Sequence, residues 1–165
     1  MNRRVLLLGA VLLGATRSLL AGAAKAEDYA VGDLQVGNPW ARATPRGANV
    51  AAAYLTITNN GGASDRLISG STNVASRFEV HSMVVEDGVA KMRPVEGGVE
   101  IRARQTVELK PGSFHVMLMG LTQPLQEGQR VTGTLVFERA GKIDIQFTVL
   151  PIGQSPPTGG HSGHH

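Results

Sequence analysis

The 165-residue chain contains no cysteine. That removes disulfides, thiolate nucleophiles and thiolate metal ligands, and with them a blue-copper centre, which needs a cysteine thiolate. Nor is there an apolar run of the roughly 20 residues that a membrane-spanning helix requires; the run from Val5 to Ala15 is too short, and Arg17 follows it. Beyond residue 26 there is no basic block, so nucleic acid is not an expected partner. A long amphipathic helical pattern and an internal repeat are also missing. Finally, no nucleophile and acid–base constellation stands out. Ser82 and Ser113 lie close to His81 and His115 in sequence, but adjacent strand residues such as His81 and Ser82 face opposite ways.

What is present begins with an export signal. Arg3 and Arg4 precede the apolar run, and Ala24-Lys25-Ala26 offers small residues for cleavage before Glu27. Residues 1–26 are therefore expected to be removed; Arg3-Arg4 leaves the Sec and twin-arginine routes both open. All 13 acidic residues follow residue 26, whereas Arg3, Arg4, Arg17 and Lys25 precede it. The mature chain thus carries a formal net charge near −1 rather than +3, and no stable membrane insertion is expected. An oxidising exported compartment also suits a chain without thiols.

Residues 27–152 read as one β-domain. Short alternating segments, among them Ala52 to Thr58, Arg77 to Val85, Val89 to Arg93, Thr106 to Leu109, Phe114 to Met119, Arg130 to Glu138 and Lys142 to Leu150, are separated by Gly, Pro, Asn and Asp. Glu86-Asp87-Gly88 is a hairpin signal. The spacing predicts an antiparallel β-sandwich or barrel. Residues 153–165 are too polar and too rich in Gly and Pro to pack, so a disordered tail is expected. That tail carries His161, His164 and His165.

Apart from the initiator, every methionine falls between residues 81 and 119, namely Met83, Met92, Met117 and Met119. The two histidines outside the tail, His81 and His115, fall there too. With side chains alternating at period 2, His81 and Met83 share one strand face, as do His115, Met117 and Met119. Residues two apart on a strand are roughly 6.5 Å apart at Cα, within reach of one ion. Thioether is a soft neutral donor suited to Cu(I), and imidazole tolerates copper or zinc. Methionine is also an ordinary core filler, and pattern alone does not choose between these uses.

The stretch resembles the PCu(A)C family of periplasmic copper chaperones. The resemblance is carried by His81, ten residues, Met92, twenty-two residues, then His115-Val116-Met117, together with Lys91-Met92-Arg93-Pro94-Val95, Val107 to Gly112 and Pro39-Trp40-Ala41-Arg42. It implies a cupredoxin-like Greek-key sandwich that binds Cu(I) through His81, Met92, His115 and Met117. It also implies transfer of that copper to an enzyme, with the copper subunit of cytochrome c oxidase or a Sco-type protein as partner and no turnover of its own. Met83 and Met119 have no fixed place in the pattern and are expected to be packing neighbours. Trp40 and Tyr54 are expected to be core anchors, and Arg42 and Arg93 solvated or salt-bridged. Extensions in the family suggest a secondary Cu(II) site at His161, His164 and His165. A general copper-binding or detoxification role, or a metal-free binding module, are the competing expectations.

Overall fold

The computed structural model describes residues 28–156; the expected export signal and the tail histidines His161, His164 and His165 lie outside the described residues. Within these bounds the chain forms eleven strands and no helix. They are β1 (Tyr29–Val31), β2 (Leu34–Arg42), β3 (Val50–Asn59), β4 (Asp65–Thr72), β5 (Ala75–Glu86), β6 (Val89–Pro94), β7 (Val99–Ile101), β8 (Thr106–Leu109), β9 (His115–Leu121), β10 (Arg130–Phe137) and β11 (Gly141–Leu150). The hydrogen-bonded order is β1-β2-β11-β10-β4-β5-β9-β3-β8, and β3 also pairs with β2, so a ring of seven strands closes. One seam is narrow: β4 meets β5 only at Thr72 and Ala75. The expected all-β architecture is present, with one difference. β2 and β11 run parallel, Trp40 to Arg42 lying against Thr148 to Leu150.

The core follows from alternation. Ala51, Ala53, Leu55 and Ile57 of β3, Val116 and Leu118 of β9, and Ile145, Phe147 and Val149 of β11 all point inward and are buried. Each strand therefore presents its other residue set outward. On β5 and β9 that outward set includes His81, His115, Met83, Met117 and Met119.

β2 changes face part-way along. Leu34 and Val36 are buried at even positions, then Ala41 at an odd one. The register shifts between Gly37 and Trp40, where Asn38 adopts a φ of 50°, a left-handed conformation that asparagine tolerates better than most residues. Pro39 sits at this bulge, where a missing N–H breaks no regular ladder. The half-step turns Trp40 and Arg42 onto the outer face of the sheet, next to the outward set of β3, where Trp40 is still buried.

The β5–β6 hairpin turns at Asp87 and Gly88, with φ of 53° and 78°. Positive φ at both central residues matches the twist of a two-residue hairpin. β5 is twelve residues long, so its second half runs past the end of β9 and pairs with β6 instead. His81 is the hinge between these regimes, opposite His115 on one edge and Pro94 on the other.

Candidate metal centre

Directly opposed residues on neighbouring strands share a face, and the register here aligns the soft donors. His81 lies opposite His115, Glu79 opposite Met117 and Arg77 opposite Met119. Met83 lies opposite Met92, and Met117 opposite Ala52 of β3. The short Ala52 side chain leaves space beside Met117. There a depression of about 340 Å³ opens to the surface, lined by Met83, Met92, His115 and Met117.

The four predicted ligands reach this face at different depths. His115 is 5% exposed and Met92 56%, with Met117 half-buried between them. His81 stands at the edge of the depression rather than in its lining. Its ring centroid is 6.0 Å from that of His115, tilted by 51°. Two imidazoles sharing one ion through bonds of about 2 Å have centroids about 5–6.5 Å apart, so the observed spacing fits a shared ion. Among the described residues no three His, Cys, Asp or Glu side chains form a metal-holding group. An ion on this surface would therefore have to take thioether sulfur, which favours a soft cation.

Both histidines are held by their other nitrogen. His115 Nδ1 is 3.0 Å from the Ser113 carbonyl oxygen. His81 Nε2 is 3.0 Å from Glu79 Oε2. The hydrogen bond from His81, helped by the charge of Arg77 and opposed by partial desolvation, holds the Glu79 carboxyl below its usual range.

Of three neighbouring residues with sequence expectations, only Arg42 meets a different arrangement. Met83 faces Met92 and lines the depression. Met119 packs on the same outer face, and its sulfur accepts a hydrogen bond from Arg77 Nη2 at 3.6 Å. Arg42 forms no salt bridge within 4.0 Å among the described residues. Its guanidinium lies over Trp40 and Tyr54, 5.8 and 5.7 Å from their centroids. Those rings stack at 4.3 Å, and the Arg42 Nε is buried without a hydrogen-bond partner. A cation–π contact takes the place of a carboxylate. Burial pushes the Tyr54 phenol above its ordinary value, with Arg42 pulling partly against it. Trp40 and Tyr54 are both buried, as expected of anchors. Arg77 carried no expectation; its signal was its place two residues before Glu79 and four before His81, on the same face of β5.

Comparison with known proteins places this geometry in a family. The family described as "Putative lipoprotein LpqE-like" matches residues 34–149. The "Putative lipoprotein Lxx21020" of Leifsonia xyli is 32% identical over 148 residues, covering 88% of each chain. Among solved structures, the "Copper-bound PCuAC domain from PmoF2" superposes with a TM-score of 0.65 at 27% identity, covering 76% of this chain and 98% of that one. The Cu(I) form of DR1885 from Deinococcus radiodurans gives 0.58 at 30% identity, covering 79% and 85%. With a family match across almost every described strand and a fold shared with copper-binding domains, the chain belongs to the LpqE-like, PCuAC family.

Proposed function

We propose that this chain is an exported copper chaperone that binds one Cu(I) through His81, Met92, His115 and Met117 and passes it on by ligand exchange. The observation that carries the reading is the register of β5 on β9, which sets His81 against His115 with Met117 on the same face. Two imidazoles and flexible thioethers form a neutral donor set suited to Cu(I). Partial exposure suits transfer, because an incoming ligand can displace Met92 before the buried His115 lets go. The copper content of its structural neighbours supports the same reading.

Within it, export of the mature chain to the periplasm follows from the N-terminal signal. Delivery to the copper subunit of cytochrome c oxidase, or through a Sco-type protein, rests on family resemblance. A Cu(II)-binding tail at His161, His164 and His165 rests on histidine clustering and on the extensions seen in the family. One observation favours an extension of the ligand set: Met83 faces Met92 across the hairpin and lines the same depression, so it is positioned to relieve Met92 during transfer.

Titrating the mature protein with Cu(I) against a competing chromophoric chelator tests the proposal. Wild type should take up one equivalent tightly, and the His81→Ala, Met117→Ala double variant should lose it. No uptake by wild type would sink the reading and leave the resemblance as one of fold.

A further inference from the structure

We infer that Glu79 is a positioning residue that fixes the tautomer of His81, so that the two histidines offer copper opposite ring nitrogens: Nδ1 from His81 and Nε2 from His115. The inference rests on the copper-site reading above and goes beyond it by assigning the donor atoms and the residues that set them.

The argument is one of donors and acceptors. A neutral imidazole has one N–H and one lone pair. At His115 the partner of Nδ1 is the Ser113 carbonyl oxygen at 3.0 Å, which can only accept. The proton therefore sits on Nδ1 and the lone pair on Nε2. At His81 the order is reversed. Nε2 faces the Glu79 carboxylate at 3.0 Å, which when ionised also only accepts. Here the proton sits on Nε2, and Nδ1 is left as the donor. Neither Nε2 of His115 nor Nδ1 of His81 has a hydrogen bond among the described residues.

Glu79 is itself held. Arg77 Nη1 is 3.4 Å from Glu79 Oε1, while Arg77 Nη2 donates to the Met119 sulfur at 3.6 Å. Period-2 alternation puts Arg77, Glu79 and His81 in a row on β5, and the register sets Met119 and Met117 beside that row. The row runs from Met119 through Arg77 and Glu79 to His81. It engages the Met119 sulfur and so separates that methionine from the donor set. It also brings a carboxylate to the Nε2 edge of the His81 ring. A carboxylate there orients a ligating imidazole, raises its basicity, and balances a cation held by neutral donors without binding it directly. The His81 side chain is only 13% exposed, which limits competition by water for the bond.

The test uses the ¹⁵N-labelled full chain at pH 8, with imidazole nitrogens observed through long-range ¹H–¹⁵N correlations before and after one equivalent of Cu(I). The expected apo pattern is Nε2–H at His81 and Nδ1–H at His115. Copper should then shift His81 Nδ1 and His115 Nε2. In Glu79→Ala the His81 ring should show both tautomers, and Cu(I) affinity should fall about 10- to 100-fold. Glu79→Gln carries a donor as well as an acceptor, so it should not enforce a single tautomer and should leave Cu(I) affinity below that of wild type. Amide dispersion like that of wild type establishes that both variants fold. A copper shift at His81 Nε2, or a Glu79→Ala variant with unchanged tautomer and affinity, overturns the inference while leaving the copper site standing. No copper shift at either ring overturns the copper reading and the inference together.

Discussion

Among the described residues three polar side chains are buried, Asn59, Asp65 and His115, and they belong to two regions that treat burial differently. At one end of the barrel, Asn59 Nδ2 donates to the carbonyls of Ala63 and Ile101 at 2.9 and 3.0 Å, and its Oδ1 accepts from Gly61 N at 2.9 Å. Asp65 accepts from the backbone N–H groups of Arg66, Arg139 and Ala140 at 2.7, 2.9 and 2.9 Å. It thereby ties the β10–β11 turn to the start of β4. Both side chains use their capacity on the protein's own backbone. On the β5–β9 face His115 spends only Nδ1 on the backbone and keeps Nε2 free beside Met117 and Met92. Among the described residues the buried side-chain atoms without a partner are Arg42 Nε and Thr72 Oγ1 and not His115 Nε2, so that nitrogen is left available at the lip of the depression rather than stranded in the core. The first region holds the fold and the second is open for chemistry.

Two substitutions should separate these regions most sharply. His115→Ala removes the most buried of the proposed ligands and should lower Cu(I) affinity at least a hundred-fold, about 2.7 kcal/mol, with a smaller change in thermal stability. Chelator competition and a melting curve on the same sample would check it; equal losses in both would erase the distinction. Asp65→Ala should do the reverse. It strands three backbone donors, so denaturant unfolding should report a loss of about 2–3 kcal/mol while Cu(I) affinity stays within twofold. A copper defect there would mean the two ends are coupled through the barrel.

A gentler pair of variants divides the open region itself. Met92→Ala removes an exposed thioether, and stability should move by no more than about 0.5 kcal/mol. Cu(I) affinity should drop by about tenfold, with Met83 compensating across the hairpin. Met83→Ala, Met92→Ala together should then lose more than the sum of the single changes, a coupling expected of residues in contact. Additive losses would assign Met83 to packing, as its sequence context suggested.

How far this contrast was legible beforehand depends on the range of the interactions behind it. Alternation along one strand is local, so β3, β8, β10 and β11 and the Asp87-Gly88 turn could be read directly, as could the shared face of His115 and Met117. Register between strands is not local. That His81 meets His115, and not a residue two places along, is decided by pairing across more than thirty residues. β1 and β7, three residues each, exist only because β2 and β4 offer them an edge. The parallel β2–β11 contact is of the same kind. Trp40 and Arg42 could not be assigned a face without the bulge at Asn38 and Pro39, which reverses the alternation. The polar clamp went unseen because Asp65 and Asn59 look like ordinary turn residues until the backbone that caps them comes from distant strands. Met83 was ambiguous for a different reason: methionine serves packing and metals equally well, and a place on the outward face of β5 beside Met92 is compatible with both.

The smallest expected effect is in pH dependence, and it probes the closed region alone. Burial pushes the Asp65 carboxyl up, but the N–H groups of Arg139, Arg66 and Ala140, with the Arg139 charge, outweigh it and hold the group below its ordinary value. A carboxyl whose pKa is lower folded than unfolded stabilises the fold when ionised in both states, above about pH 4. As pH falls through the folded value the native carboxylate must protonate, and that contribution is lost. Wild type and Asp65→Asn should therefore differ in unfolding midpoint at pH 6 and converge as pH drops below about 4. The neutral amide has no proton to gain, so its own profile should be flatter over that window. Parallel profiles from pH 6 to 3 would mean that the three N–H bonds act through their geometry and not through the carboxylate charge, and the closed region would then owe its hold to shape alone.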